Sequence, residues 1–140
     1  MSNDYIVDTD KSRLDIPLIH QFLIRQSYWA QNIPLEIVER SVANSLCFGV
    51  YQQEQQVGFA RVITDQATFA YLADVFILPE YRGRGLSKLL VQTISEWPTL
   101  QGLRRWMLAT NDAHKLYEQF GFTALDQPEL IMQRKRGVPY

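Results

Sequence analysis

Apolar residues recur along this chain with two periods, and the switches between them mark out its elements. Tyr5-Ile-Val-Asp8 reads as a short opening strand. Leu18, Ile19, Phe22 and Leu23 then share one helical face, with Asp15 placed to cap that helix and Pro17 in its first turn. A second helix is predicted from Pro34, with Leu35, Val38 and Val42 as its stripe and an end near Ser45. Leu46–Tyr51 and Val57–Thr64 predict strands around the polar hairpin Gln52–Gln56, and Thr68–Leu78 predicts a longer strand after a turn at Asp65-Gln66. These three form an antiparallel meander.

The helical period returns at Leu86, Leu89, Leu90 and Ile94 and stops at Trp97-Pro98. Arg105–Ala109 is then expected as a buried strand, Ala113–Phe120 as a short helix capped by Asp112, and Phe122–Leu125 with Leu130–Gln133 as closing strands. The predicted order is βααβββαβαββ, an α/β (mixed α+β) sheet with helices on both faces. At 140 residues and 16.3 kDa, without repeats or linkers, residues 1–140 suit a single domain that buries roughly two thirds of its unfolded surface.

Composition narrows the function. A 46% hydrophobic and 21% charged content argues against extensive disorder. A net charge of −1 and a pI near 6.1 supply no basic field, so no nucleic-acid partner is expected. No run reaches transmembrane length and Met-Ser-Asn-Asp lacks the pattern of a leader, so no membrane partner is expected either. Cys47 is the lone cysteine; it precludes an intrachain disulfide and reads as a small apolar strand residue rather than a nucleophile. The expected location is a reducing cytoplasm. His20 and His114 fit no ligand spacing, so no metal is expected.

The densest chemistry lies in Val75-Phe-Ile-Leu-Pro-Glu-Tyr-Arg-Gly-Arg-Gly-Leu-Ser-Lys-Leu-Leu90, a strand, a tight turn and a helix start. The first backbone N–H groups of a helix lack intrahelical partners and sit at the positive end of the peptide dipoles, which suits a phosphate. Gly83 and Gly85 allow close backbone approach, and Arg82, Arg84 and Lys88 add charge. Neither the dinucleotide nor the Walker pattern fits. A plain glycine-bearing turn is the alternative at this point.

Arg82-Gly-Arg-Gly85-Leu-Ser87 resembles the Gln/Arg-x-x-Gly-x-Gly/Ala signature of the GNAT (GCN5-related) family of N-acetyltransferases, with Ser87 departing from the last position. Thr110-Asn-Asp-Ala113-His-Lys-Leu-Tyr117-Glu-Gln-Phe-Gly121-Phe122 is similar to the family's second block, with Thr110 where an Asn is usual. The two blocks span roughly Tyr71 to Phe122, and the predicted element order matches the family's layout, whose central strands splay.

The resemblance implies acetyl-CoA as cosubstrate and a small-molecule or amino-acid-like amine as acceptor, attacking the thioester directly. It implies that the pantetheine arm adds to the backbone of Val75, Phe76 and Ile77 like a further strand, and that the pyrophosphate sits on Arg82, Gly83, Arg84, Gly85, Leu86, Ser87 and Lys88. Thr110 joins the cofactor contacts. Tyr117 falls on the family's tyrosine that protonates the leaving thiolate; a helix tyrosine packed on Phe120 and Phe122 is the other reading. Asp74 either attracts or deprotonates the cationic amine, as in polyamine-type members, or is bonded to backbone at a strand bulge. Asp65 is expected as a turn residue. Arg61 and Tyr71 face either the acceptor cleft or the sheet surface, and Tyr28-Trp29 either roofs the acceptor or fills core. A homodimer is compatible with all of this. A non-catalytic acyl-CoA sensor or docking module is the rival from another class.

Overall fold

In the computed structural model, which describes residues 4–140, the first strand is β1 (Tyr5–Asp8) and the first helix is α1 (Ile16–Arg25). Asp15 starts α1 through its side chain: its Oδ1 accepts from Leu18 N at 3.1 Å, satisfying one of the first-turn donors. Then come α2 (Leu35–Ala43), β2 (Leu46–Gln52), β3 (Gln55–Thr64) and β4 (Phe69–Ile77). A glycine turn leads into α3 (Leu86–Ser95), followed by β5 (Arg105–Leu108) and α4 (His114–Glu118). The sheet order is β1-β2-β3-β4-β5, antiparallel throughout except where β5 joins β4 in parallel.

Period-two alternation divides the strands between two cores. Phe48, Val50, Val62 and Leu72 pack under α3 and α4 with Leu86, Leu90, Ile94 and Tyr117. Cys47, Phe59 and Phe76 face the other way, against Ile19, Phe22, Leu23, Val38 and Val42 of α1 and α2. Phe22 and Phe76 stack with ring centroids 3.9 Å apart. The expected sheet with a helical layer on each face is therefore present.

Four local expectations are corrected. Residues 122–125 and 130–133 form no closing strands: Phe122 N bonds back to Tyr117 O, and Pro128 opens a 3-10 turn that takes the Leu130 and Ile131 N–H groups onto Gln127 and Pro128 carbonyls. The donors a ladder needs are spent locally. Secondly, β5 ends at Leu108 and is not buried, because it forms the outer edge of the sheet and only β4 covers it. Thirdly, Asp112 does not cap α4. No side chain caps it; the Thr110 hydroxyl accepts from Ala113 N at 3.0 Å, just ahead of the first turn. Gln56, expected in a polar hairpin, is instead buried within β3: its Oε1 accepts from Asp15 N at 2.7 Å and its Nε2 donates to Gly58 O at 3.0 Å, tying the start of α1 to the sheet.

Among the described residues one side-chain polar atom is sealed without a partner, the Tyr51 hydroxyl. Burial pushes its pKa up to about 12. An unpaired buried hydroxyl costs about 1–3 kcal/mol. Tyr51→Phe is therefore expected to stabilise the fold, by about 1 kcal/mol, read as a higher urea midpoint at unchanged slope. A lower midpoint would mean that the hydroxyl has a partner in solution.

Candidate active site

The site is organised by an irregularity in β4. Phe59 pairs with Phe76 and Arg61 with Ala73, so Asp74 and Val75 together oppose Ala60. This is a β-bulge, and Asp74 adopts φ +54°, a left-handed conformation costly for any residue but glycine. Its carboxylate is held by side chains: Trp29 Nε1 donates to Oδ1 at 2.8 Å, and Arg61 Nε donates to Oδ2 at 2.8 Å. The Arg61–Asp74 pair is largely covered, at 17% and 11% side-chain exposure, and Arg61 Nη1 also donates to Ser45 Oγ. Backbone bonding at the bulge, one of the two sequence readings, is not how this carboxylate is used.

Beyond the bulge β4 leaves β5. Their ladder ends at Leu72 and Leu108, while β4 continues to Ile77. The β5-facing edge of residues 73–77 thus lacks a strand partner, as the expected splay requires. Ile77 O accepts from Arg82 Nε at 3.1 Å. The side chains of Phe76 and Ile77 are buried in opposite cores, so these residues offer a ligand only their backbone.

The wedge opened by the splay holds a cleft of about 520 Å³, lined by Tyr28, Trp29, Arg61, Tyr71, Asp74, Val75, Thr110 and Tyr117. All four expected acceptor residues thus meet both expected catalytic residues. Tyr28 and Trp29 stand edge to face at 5.0 Å and form the roof. Two long-range bonds hold it: Trp29 to Asp74, and Asn111 N donating to the Tyr28 hydroxyl at 3.0 Å. Asn111 and Asp112 also line the cleft and were missed as site residues. Their signal was position alone, just before a helix that carries Tyr117.

Tyr117 is 8% exposed, packs edge-on against Phe122, and still reaches the cleft. The packing reading holds, and the same residue lines the cleft. Among the described residues its hydroxyl bonds to no other group, yet only Tyr51 has a sealed, unpartnered hydroxyl. Burial, with the neighbouring Tyr28 and Asp112, pushes its pKa up to about 12. A phenol so shifted stays protonated through the physiological range and is able to act as a proton donor rather than a base.

A second cleft of about 230 Å³ lies at the glycine turn, lined by Ile77, Tyr81, Arg82, Gly83, Gly85, Leu86, Ser87, Lys88 and Leu116. Gly83 and Gly85 have φ of +79° and +76°, with open space where a Cβ would stand, and Gly85 caps α3. Arg84 is the expected phosphate residue whose guanidinium turns elsewhere. It donates to the Tyr5 hydroxyl at 2.6 Å and to Glu80 O at 3.3 Å. Asp65 is a turn residue as expected, its carboxyl held well below the usual range by the Thr68 and Ala67 N–H groups and the Thr68 hydroxyl. Cys47 is buried, and its thiol is pushed up to about 11 by that burial.

The two clefts are neighbours. Val75 lines one and Ile77 the other along β4; Tyr117 lines one and Leu116 the other along α4. An unpaired strand edge thus runs from the glycine-turn cleft to an aromatic-roofed pocket lined by Tyr117.

Comparison with known proteins agrees with that geometry. Residues 43–124 match the acetyltransferase (GNAT) domain model. The crystal structure of a protein assigned to the GNAT acetyltransferases of Xanthomonas campestris pv. campestris superposes with a TM-score of 0.92 at 54% identity, covering 94% of this chain and 93% of that one. A Gibberella zeae protein named as an acetyltransferase is 35% identical over 136 residues, 81% of this chain and 76% of its own length. An aminoglycoside N-acetyltransferase in complex with CoA shares the fold at a TM-score of 0.61 and 20% identity, covering 94% of this chain and 93% of that one. The chain belongs to the GNAT family and is an N-acetyltransferase. Among the described residues no helix is long and apolar enough to cross a membrane.

The pair beneath the roof makes a stability prediction. Arg61→Ala leaves the covered Asp74 carboxylate with Trp29 as its one donor and is expected to cost about 2 kcal/mol, below the cost of breaking a fully sealed pair. Adding Asp74→Asn should recover at least half of that in urea denaturation. Equal single and double costs would show that the ion pair is not what Arg61 contributes.

Proposed function

We propose that this enzyme transfers the acetyl group of acetyl-CoA to the amine of a small cationic molecule. The observation that carries the reading is the continuity of the two clefts along the β5-facing edge of residues 73–77. That edge offers backbone groups to an extended amide-bearing arm, as an added strand would use them. At one end, Gly83 and Gly85 expose the α3 N-terminus beside Arg82 and Lys88, a fit for a pyrophosphate. Within the fit, Phe76 contributes backbone only, and Arg84 contributes backbone while its side chain braces the turn against β1.

Bound acetyl-CoA supplies a thioester carbonyl, to which the amine nitrogen adds as the C–S bond breaks. Tyr117 Oη donates its proton to the departing sulfur and recovers one from solvent, while the acylated nitrogen sheds its extra proton to cleft water. Its raised pKa keeps it loaded for that step. The acceptor enters under Tyr28 and Trp29, whose faces, with Tyr71 and the Asp112 carboxylate, suit an ammonium group. Both Asp74 oxygens already accept from Trp29 and Arg61. In this reading Asp74 positions the roof and the bulge, and the ammonium proton leaves to cleft water.

Three outcomes are expected. Gly85→Val should abolish CoA binding in calorimetry while the circular dichroism spectrum is retained, because valine is strained at φ +76° and distorts the α3 start. Undiminished CoA affinity in a folded variant would remove the pyrophosphate from this turn. Tyr117→Phe should lower kcat by about a hundredfold with CoA affinity unchanged, measured by thiol release on a panel of mono- and diamines. Wild-type activity should rise with pH as the amine deprotonates, without a falling limb from Tyr117 below pH 10, since its pKa lies near 12. Unchanged kcat in Tyr117→Phe would return the residue to core packing.

A further inference from the structure

Among the described residues, the charged side chains lining the roofed cleft are Arg61, Asp74 and Asp112. Two of them answer each other. Arg61 and Asp74 meet at 2.8 Å in a largely covered pair, and Trp29 takes the other Asp74 oxygen. As a unit that pair is close to neutral. Asp112 differs: among the described residues its carboxylate accepts no hydrogen bond and pairs with no cation. It is the uncompensated charge of the lining.

The turn that carries Asp112 is fixed in place. Thr110 Oγ1 accepts from Asp112 N at 3.4 Å and from Ala113 N at 3.0 Å. Asn111 N donates to the Tyr28 hydroxyl, which ties the same turn to the roof. Asp112 is therefore held on the rim that the aromatic pair spans, and all three residues are exposed. Tyr117, at the inner end, is buried. The cleft thus runs from an anionic, aromatic rim to a covered phenol.

That polarity bears on the acceptor. The nitrogen that attacks must be uncharged and must lie near the sulfur that Tyr117 protonates, on the catalytic reading above, on which this inference rests. A cation drawn to Asp112 at the rim is then a different group of the same molecule. An acceptor carboxylate or phosphate finds no free cation in the lining, since Arg61 is already paired. We infer that the preferred acceptor carries a second ammonium group set back from the reacting amine, and that Asp112, with the faces of Tyr28 and Trp29, holds it.

The test compares two amines of equal shape: an alkylamine ending in trimethylammonium, whose charge does not titrate, and its neutral tert-butyl isostere. Thiol release gives kcat/KM for each, over spacers of increasing length. Wild type should favour the charged amine, and the charged-to-neutral ratio should fall about threefold in Asp112→Asn, the scale of an exposed ion pair. Asp112→Glu, which keeps the charge, should retain the preference. Added salt should erode it more in wild type than in Asp112→Asn. The different basicities of the two amines cancel between enzymes, and any effect passed on through the turn or Tyr117 alters both amines alike. A wild type without preference overturns the inference while acetyl transfer stands. So does a ratio that Asp112→Asn leaves unchanged, because the roof alone then holds the cation. A second reading needs no turnover: in NMR titration with CoA present, the trimethylammonium compound should bind about threefold more weakly to Asp112→Asn. Equal affinities overturn the role of Asp112 whether or not the protein acylates any amine, so the two failures stay distinct.

Discussion

The bulge at Asp74-Val75 is the constraint on which the rest of the site depends. One extra residue opposite Ala60 turns β4, and the ladder with β5 stops at Leu72. A non-glycine residue at φ +54° costs about 1–3 kcal/mol. The bonds from Trp29 and Arg61 to the same residue offset that cost. A single carboxylate therefore fixes the strained backbone, anchors the roof from the α1–α2 connection, and neutralises an arginine on the adjacent strand. Without the bulge, β4 and β5 would run together, and neither the unpaired edge nor the wedge-shaped cleft would exist.

Much of this was legible in the sequence, for reasons that differ by element. The glycine turn was readable because Gly83 and Gly85 serve a backbone need that other residues meet poorly, and both indeed take positive φ. Helix α1 was readable because Asp15, Pro17 and the Phe22 stripe agree on one start and one face. The closing strands were not, because Leu130-Ile-Met-Gln133 has a strand composition while Pro128 draws its first donors into a local turn. Composition reports what a segment is able to pair with. It is silent on whether a partner is within reach.

Asp74 shows a second limit. Its placement in an apolar strand marked it as unusual, and the choice lay between proton chemistry and a backbone bond. Its real partners, Trp29 and Arg61, lie 45 and 13 residues away and come together only through packing. Buried polar groups seek donors wherever the fold brings them, so the identity of such partners belongs to tertiary structure. Arg84 follows the same rule: a guanidinium in a phosphate-like motif is drawn instead to a tyrosine 79 residues earlier.

The two clefts draw on different stretches of chain. The nest at the glycine turn is built from residues between Ile77 and Lys88 with Leu116 of α4, whereas the roof over the other pocket hangs from the α1–α2 connection by Trp29 and Tyr28. On the proposed function, substitutions in residues 27–33 would reshape acceptor recognition while leaving the glycine turn unchanged. On that same reading the architecture is modular: one loop sets the shape of the acceptor pocket, and a separate turn serves the acyl donor.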